Sequence, residues 1–414
     1  MEFEKGGLWR NWVGNQSCIS RFKAAPSTEA QLAEMLTEAD ARDLSVRVAG
    51  SSHSFTPLVG TGGLMLSLAE MRGIKGVDKA KKQVTIGAGT RINEVGTALR
   101  GLGYSLRNQG DIDSQAVAGA FTTGTHGTGL TLGCLATQIA ALRIVKADGS
   151  VLVVDGSDTD LLQAARVTLG ALGVISEVTL QVSDAYNLHE HVWRDDFETC
   201  MQRHDELAAK HRHFGFFWCP VPESRHLYCL ADTAAAPLTT TKKTADVCEM
   251  KVMDITDEAP RQSEFEKVAY SSDVYPIEYV PNFHELEYAV PVAHGKEAVR
   301  AVRELMLTKH TNCIFPIEYR FTAGDGAWLS PFYEQDSISL SVSGQPGIDY
   351  WEYLKDVDGI LRRYGSRPHW GKLHFLDTAD VTALYPKAEA FRALRRKLDP
   401  KGRFLNEHVR MLVG

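Results

Sequence analysis

The segment Ala49-Gly50-Ser51-Ser52-His53-Ser54-Phe55 is the part of the sequence that most strongly indicates the fold of this chain. It follows a β-branched run at residues 45–49 that is typical of a strand. Small side chains leave backbone N–H groups open, and such groups can form a nest for a phosphate anion. A lone histidine is more often an ordinary hydrogen-bonded residue. The residues alone therefore leave two interpretations, an anion-binding turn and a plain loop.

A second glycine-rich segment runs from Ala118 to Gly129, with the sequence AGAFTTGTHGTG. Its glycines and threonine hydroxyls can wrap a phosphate or a flat ring through main-chain contacts. His126 is its only ionisable side chain. This composition favours a buried loop in contact with a ligand over a flexible surface loop.

A third segment, Gly87-Ala88-Gly89-Thr90-Arg91-Ile92, lies between a predicted strand at 83–87 and a predicted helix at 91–102. That placement is typical of a dinucleotide fingerprint, but Ile92 stands where the third glycine is needed for helix–strand packing. A nicotinamide dehydrogenase is therefore a weak alternative, and an ordinary strand-to-helix turn is favoured.

Two charged segments lie in the second half of the chain. In the strand-like run 317–321, period-two alternation places Glu318 and Arg320 on one face, where they could bind a polar substrate or form an exposed salt pair. The segment 367–372 combines Arg367, His369 and Lys372 around Trp370, and could face an anionic ring or form a solvated basic turn. From spacing alone the salt pair and the basic turn are favoured.

Composition excludes several classes of protein. The chain has 414 residues, with 45 Lys and Arg against 52 Asp and Glu, a net charge of −7. This balance argues against a nucleic-acid-binding protein. No apolar run is long enough to cross a membrane, and the first residues lack the layout of a secretory signal. Seven cysteines without a Cys-x-x-Cys pair favour reduced thiols in a cytoplasmic protein. The scattered histidines, among them His189, His191, His211 and His213, show no ligand set, so no metal is expected.

Interleaved helical and strand segments predict an α+β protein of two or three domains. Glycines and short β-branched runs fill the first 185 residues, and aromatics and histidines become frequent after 186. Strand-like runs recur at 226–230, 286–292 and 337–342, and the last 50 residues are helical in pattern. We therefore expect an N-terminal domain at 1–185, a second domain at 186–350 and a C-terminal segment at 351–414.

The ordered set of these segments resembles the vanillyl-alcohol oxidase superfamily of flavoproteins. The closest group resembled is the sugar-1,4-lactone oxidases and dehydrogenases (L-gulono-, L-galactono- and D-arabinono-lactone), followed by the alditol oxidases. The resemblance covers nearly the whole chain, including Gly-Ser-Ser-His-Ser-Phe at 50–55, Asn-Gln-Gly-Asp at 108–111, Glu-Tyr-Ala-Val-Pro at 287–291 and Glu-Tyr-Arg-Phe-Thr at 318–322. It implies a two-domain flavoprotein in which 1–185 and the C-terminal segment bind FAD and 186–350 forms a substrate cap.

The resemblance also implies roles for individual residues. His53 matches the histidine that bonds covalently to the flavin C8 methyl group. Lys372 matches a cation near the flavin N1–O2 edge, Arg320 the arginine beside the reacting carbon, and Glu318 a carboxylate that orients the arginine and grips sugar hydroxyls. The remaining residues implied in cofactor binding are Ala49, Gly50, Ser51, Ser52, Ser54, Gly119, Thr123, Gly124, Thr125, His126, Ile175 and His369.

The reaction so implied is hydride transfer from C2 of an aldono-1,4-lactone to flavin N5, giving an ascorbate-type enediol after tautomerisation. A cation at the N1–O2 edge would stabilise the transition state more than the ground state. Asp111 falls at a substrate-side position. Gly110 falls where a small side chain tends to admit oxygen, so oxygen or another acceptor would reoxidise the flavin.

Two further alternatives stay open. An alditol oxidase producing hydrogen peroxide is the nearer one, although Ser341 and Ser343 stand where alditol oxidases have histidine and threonine. A flavin-binding protein without turnover is the other, and the presence of both Arg320 and Lys372 argues against it.

Overall fold

The computed structural model describes residues 2–230, 232–277, 279–280, 283–345 and 347–414. The strands of the first part are β1 (Glu4–Lys5), β2 (Leu8–Arg10), β3 (Ser17–Ile19), β4 (Phe22–Ala24), β5 (Val46–Val48), β6 (Leu64–Leu66), β7 (Ile74–Asp78), β8 (Gln83–Gly87), β9 (Tyr104–Ser105), β10 (Ile139–Val145), β11 (Val151–Val154), β12 (Val174–Gln181) and β13 (Ser183–Asp184). The helices of this part are α1 (Glu29–Ala41), α2 (Ile92–Gly101), α3 (Val117–Thr122) and α4 (Thr159–Arg166).

Two sheets organise this first part of the described chain. One has the order β1-β4-β6-β5, with β6 parallel to both β4 and β5. The other is antiparallel, with the order β11-β10-β12-β8-β7. The first sheet ends at β5, which leads directly into the turn at 49–54, so the sheet edge fixes where that turn lies.

The later strands are β14 (Asn187–Asp196), β15 (His213–Cys219), β16 (Val247–Thr256), β17 (Arg261–Gln262), β18 (Glu266–Tyr270), β19 (His284–Pro291), β20 (Ile317–Thr322), β21 (Ser337–Gly344) and β22 (Arg367–Pro368). The later helices are α5 (Phe197–Lys210), α6 (Ser224–Leu227), α7 (Ser271–Val274), α8 (Gly295–Thr308), α9 (Trp351–Arg362), α10 (Thr378–Leu384), α11 (Ala388–Leu398) and α12 (Glu407–Val413).

The later strands form one large sheet in the described residues, with the order β17-β18-β14-β16-β15-β20-β21-β19-β22. Helices α5, α8 and α9 pack on one face of this sheet. Glu318 and Arg320 on β20, with the serines of β21 and the acidic residues of β19, lie on the other face. The nine-stranded sheet thus presents a polar face toward the first part of the chain.

Two hydrophobic cores support the two parts. The first joins residues between Phe3 and Val182 with the C-terminal residues from Leu376 to Val413, so α10, α11 and α12 complete the N-terminal part. The second lies under the nine-stranded sheet and includes Tyr353, Leu354, Val357 and Leu361 of α9. Helix α9 thus buries its apolar face against the nine-stranded sheet.

The expected strand at 226–230 is wrong. The segment forms the short helix α6 followed by a turn, in which Cys229 has a φ of 53°. A residue in this left-handed region cannot continue a strand. The turn carries Tyr228 into the interior, where its ring is 3% exposed. Among the described residues no helix combines the length and the apolar character needed to cross a membrane.

One buried arginine connects distant segments of the first core. Arg47 on β5 donates to the carbonyl oxygens of Leu58 at 2.8 Å, Leu169 at 2.8 Å, Gly170 at 3.2 Å and Phe404 at 2.6 Å. Burial lowers the pKa of this guanidinium to about 10, which still leaves it charged at neutral pH. The side chain therefore holds three loops around the end of β5.

We predict that Arg47→Met lowers the free energy of unfolding by about 3 kcal/mol, because it leaves several buried carbonyl groups without donors. Chemical denaturation of the purified proteins measures the difference. Arg300→Met is the matched control, since Arg300 pairs with Glu198 at the surface and is 44% exposed; its effect should stay within about 1 kcal/mol. Equal losses in the two variants would contradict the role of Arg47.

Candidate functional site

A long groove of about 300 Å³ runs along the first part of the chain. Its walls come from the turn after β5, the turn after β8, the start of α3, the segment 169–175 and the segment 369–372. Predicted cofactor residues that line it are Ala49, Gly50, Ser51, Ser52, His53, Ser54, Gly119, Thr123, Ile175 and His369. The groove therefore brings together residues from widely separated parts of the sequence.

The turn after β5 has the conformation of an anion nest. Ser52 adopts a left-handed φ of 63°, so successive backbone N–H groups of the turn can point to one side. Arg72 and Arg91 also line the groove and add positive charge. Ala88 and Gly89 line the groove as well. The segment 87–92, which does not match a dinucleotide fingerprint, therefore still contributes to the groove. A Cβ at position 89 would lie 1.8 Å from the Leu68 carbonyl oxygen, which explains the glycine.

His53 faces the groove with one ring nitrogen unused. Its Nε2 lies 2.9 Å from the Ser114 hydroxyl, whereas Nδ1 is buried and has no hydrogen-bond partner among the described residues. Burial, with smaller effects of Lys372 and Arg91, lowers the pKa of His53 to about 4. The imidazole is therefore neutral at physiological pH, and a buried nitrogen without a partner in a ligand-sized groove fits a bond to a bound group.

The open space beside Gly119 is a second feature of the groove that fits a large cofactor. A Cβ built at Gly119 meets no atom within 4 Å, although the residue lies in α3 on the groove wall. The glycine thus leaves a free surface against which a flat ligand can lie. Together with the nest, the arginines and His53, the groove fits an extended dinucleotide.

A second cavity of about 40 Å³ adjoins the groove and shares Ile112, Gln115, His369 and Lys372 with it. Its remaining walls carry the charged residues of the nine-stranded sheet together with Asp111. The two cations that the sequence singles out, Arg320 and Lys372, both line this cavity.

Arg320 lies at the centre of a ring of carboxylates. Its guanidinium is 3.1 Å from Asp111, 3.2 Å from Glu287 and 3.3 Å from Glu318, and its side chain is only 13% exposed. Burial of a cation is costly unless it is paired, and these three carboxylates supply the pairing. They hold the guanidinium in one orientation.

The sheet register explains how these side chains meet. Glu287 on β19, Ser341 on β21 and Glu318 on β20 lie in one row across three adjacent strands. Glu285 pairs with Ser343 in the next row. Because the middle strand carries serines, the acidic side chains of the outer strands have room between them.

The environment drives the pKa values of two of these carboxylates apart. Burial and the carboxylates of Asp111, Glu285 and Glu287 raise the pKa of Glu318 well above its ordinary value, although Arg320 acts in the opposite direction. Burial also opposes ionisation of Glu287, but His126 and Arg320 outweigh it, and the pKa of Glu287 lies well below its ordinary value. Such a separation is typical of groups with different roles in acid–base chemistry.

Lys372 is held at the boundary between the two cavities. Its ammonium group forms an ion pair with Glu285, and Glu285 in turn accepts a hydrogen bond from Ser341. The Phe55 ring lies 5.2 Å from the ammonium nitrogen. These contacts leave a nearly buried cation facing the end of the groove.

His369 presents one defined tautomer to the cavity. Its Nδ1 accepts a hydrogen bond from the Gly371 backbone at 3.0 Å, so the ring proton is on Nε2, which lies 3.4 Å from the Thr125 hydroxyl. Burial, aided by Lys372, lowers the pKa of His369 to about 3. The residue is therefore a neutral hydrogen-bond donor.

Three predicted cofactor residues lie elsewhere than the groove. Thr125 and His126 line the small cavity, where His126 Nε2 is 2.5 Å from Glu287 and Nδ1 donates to the Gly127 carbonyl at 2.8 Å. The Ser339 hydroxyl lies 3.1 Å from the same Nε2 atom, so polar contacts hold the imidazole at both of its ring nitrogens. Gly124 lines neither cavity; it has a φ of 85° and packs against Pro331.

Gly110 is buried beside the same loop. A Cβ there would lie 3.0 Å from the His126 carbonyl oxygen. Among the residues described, Gly110 lines neither the groove nor the cavity. A methyl group at this position would press on the His126 backbone instead of projecting into open space.

Sequence reasoning missed Glu285 and Glu287, although both are buried in the cavity wall. The alternation His284-Glu285-Leu286-Glu287 within β19 was an available signal, because it places two acids on one strand face. It did not indicate which other strands would lie beside them.

The fold is shared with a flavoenzyme of known structure. Cholesterol oxidase from B. sterolicum superimposes with a TM-score of 0.82 over 99% of this chain and 97% of that chain, at 15% identity. Residues 21–155 match the family model of an FAD binding domain, and residues 236–412 match that of D-arabinono-1,4-lactone oxidase. The fold and the groove define a two-domain, FAD-dependent oxidoreductase of the vanillyl-alcohol oxidase type, and the predicted α+β class is confirmed.

Full-length relatives narrow the class. L-gulono-1,4-lactone dehydrogenase of Mycobacterium tuberculosis is 34% identical over 98% of this chain and 99% of its own length. L-gulonolactone oxidase of Mus musculus is 31% identical over 98% of both chains. The chain belongs to the sugar-1,4-lactone oxidase and dehydrogenase family.

We predict that Gly119→Leu removes FAD binding without unfolding the protein, because Gly119 lines the groove and a Cβ there meets no protein atom within 4 Å, which leaves room for the side chain to fill the groove. The visible absorbance per mole of purified protein should fall at least about tenfold, equivalent to about 1.4 kcal/mol of binding. Circular dichroism should be unchanged.

Gly101→Leu is the matched control, since this glycine also lies in a helix with no atom near its Cβ but lies outside the groove. It should keep its flavin. Full flavin content in Gly119→Leu would show that the ligand does not occupy this wall.

Proposed function

We propose that this enzyme oxidises an aldono-1,4-lactone at C2 and that bound FAD supplies the hydride acceptor, its N5 atom. One observation carries the proposal: Arg320 and Lys372 face the same small cavity, and this cavity adjoins the cofactor groove. The cavity offers carboxylates for sugar hydroxyls and two cations in its walls.

The residues divide the work as follows. Lys372, which lines both the groove and the small cavity, would stabilise negative charge that develops on a flavin bound there. Arg320, held by Asp111, Glu287 and Glu318, orients the hydroxyl group at the reacting carbon. That hydroxyl must lose a proton when the hydride leaves. Glu318, 3.3 Å from Arg320, is the group suited to take it, because burial raises its pKa and so makes its carboxylate a stronger base.

Charge in the cavity supports an uncharged substrate. Four acidic side chains, Asp111, Glu285, Glu287 and Glu318, line it against the two cations Arg320 and Lys372. Each cation is already paired with carboxylates, so no free positive charge is left for a sugar acid. A lactone keeps the hydroxyls of the sugar acid without its charge, which fits this balance.

The serines of β21 bear on the choice between a lactone and a sugar alcohol. Ser341 donates to Glu285, and Ser343 lies 2.5 Å from the Tyr228 hydroxyl. Both hydroxyls are thus engaged within the cavity wall. This leaves the polar recognition of the substrate to the acidic residues and Arg320, and we propose a compact lactone ring in place of an open-chain polyol.

Two finer parts of the proposal concern the cell and the acceptor. All seven cysteines are unpaired in the structure, which suits a reducing compartment such as the cytoplasm. Reoxidation by oxygen or another acceptor completes the cycle, and the product would tautomerise to an ascorbate-type enediol. Readmitting air after the reduction experiment below separates an oxidase from a dehydrogenase.

We predict that L-gulono-, L-galactono- or D-arabinono-1,4-lactone bleaches the flavin under nitrogen, because the cavity fits an uncharged polyhydroxy ring. The corresponding aldonates should reduce it at least about tenfold more slowly, a difference of about 1.4 kcal/mol. Stopped-flow absorbance measures both rates. Reduction by polyols but by no lactone would favour the alditol oxidase alternative.

Lys372→Met should slow this reduction at least about tenfold while leaving flavin bound. Lys296→Met is the control, since Lys296 pairs with Asp205 at the surface and should leave the rate unchanged. Unchanged reduction in Lys372→Met would remove its assigned role.

We predict that His53 carries the flavin covalently, because its Nδ1 is buried, neutral and without a partner. After acid precipitation the wild-type pellet should stay yellow, whereas His53→Ala should release its flavin to the supernatant. Ser114→Ala removes only the contact at Nε2 and should keep flavin in the pellet. Free flavin in the wild-type supernatant would show that no bond forms.

A further inference from the structure

Two histidines outside the active site share a strand face in the cap sheet. His189 and His191 lie two residues apart on β14, so both point to the same side. Val192 pairs with Lys251, Lys251 with Gly215, and Gly215 with Arg320. Val192, and with it Glu190, therefore lies on the Arg320 face of the sheet. The two histidines therefore lie on the face opposite to the substrate cavity.

A carboxylate from the neighbouring strand completes a three-residue cluster. Glu266 on β18 is directly opposite His191 in the register, and its Oε1 lies 3.1 Å from His191 Nδ1 and 3.7 Å from His189 Nε2. The three ligating atoms are all within 4.8 Å of one another. Metal–ligand bonds near 2.1 Å in a tetrahedral zinc site place ligand atoms about 3.4 Å apart, so only small rotations separate this cluster from a coordinating geometry.

The cluster already attracts a cation. Arg261 on β17 lies 2.5 Å from Glu266 and its Nη2 is 3.4 Å from His189 Nε2. Its side chain is 43% exposed, and surface ion pairs of this kind stabilise only weakly. A metal ion that gains two imidazoles and a carboxylate can displace such a guanidinium into solvent. His189, His191 and Glu266 are 26%, 15% and 26% exposed, so an ion can reach them.

We propose that His189, His191 and Glu266 bind one divalent transition metal ion, with zinc as the reference ion and water in the open positions. Two imidazoles select zinc, copper or nickel over magnesium and calcium. The ion would connect β14 to β18 near the edge of the nine-stranded sheet, where the two-residue strand β17 is the last of the described strands. The sequence pattern shows only His-x-His here, because the third ligand lies 75 residues from His191.

Calorimetric titration of the untagged flavoprotein with zinc chloride at neutral pH tests the proposal. We expect one zinc ion per chain with a dissociation constant of roughly 10 µM or lower. His191→Ala and Glu266→Gln should each weaken binding at least about tenfold. Arg261→Met should strengthen binding, because it removes the competing guanidinium. The thermal midpoint of the wild type should rise with zinc.

His294→Ala is the matched control, since His294 faces a single carboxylate, Glu297, at 3.9 Å and should leave zinc binding unchanged. Two outcomes would overturn the proposal. One is the absence of zinc binding to the wild-type chain at roughly 100 µM, whatever Arg261→Met does. The other is equal binding in the wild type, His191→Ala and Glu266→Gln, each checked for folding by circular dichroism.

Discussion

The pairing of charges buried between the two cores is the constraint on which the active site depends. His126, from the glycine-rich loop of the first part, contacts Glu287 on β19, and Glu287 contacts Arg320 on β20. Arg320 in turn contacts Asp111, which belongs to the first part of the chain. Since an unpaired buried charge is strongly destabilising, the two parts can approach only in the arrangement that closes this chain of contacts. The cavity between them is a consequence of that closure.

The glycine-rich loop reinforces the same arrangement through its backbone. The Gly129 N–H donates to the Phe321 carbonyl at 2.9 Å, and the Thr128 hydroxyl accepts from the Phe321 N–H at 3.1 Å. His213 of β15 contacts the Thr128 carbonyl at 2.7 Å. The loop that sequence analysis assigned to the cofactor thus also anchors the nine-stranded sheet, through Thr128, Gly129 and His126.

Sequence patterns predicted those parts of the site that depend on local spacing. Alternation placed Glu318 and Arg320 on one face of β20, and the small residues around His53 predicted the turn that lines the groove. Sequence patterns did not predict the site residues whose position depends on the pairing of strands that are distant in the chain. Glu287 becomes a site residue only because β19 pairs with β21 and β21 with β20. Residues 226–230 form a largely apolar run that resembles a strand, yet a short helix ends at Leu227 and Cys229 adopts a left-handed conformation.

The raised pKa of Glu318 lowers the free energy of unfolding of the protein as the pH rises. A carboxylic acid whose pKa is higher in the folded state binds more protons when folded, so it lowers stability as the pH rises from its ordinary pKa through the folded one. Glu287, with a lowered pKa, acts in the opposite sense: its contribution is present above its ordinary pKa and is lost as the pH falls below it. Near neutral pH the two carboxylates therefore oppose each other. The stabilising one is buried with His126, and the destabilising one is the carboxyl group that we propose exchanges a proton with substrate. If every buried carboxylate between the two parts were stabilised as Glu287 is, none would have the raised pKa that suits a proton acceptor.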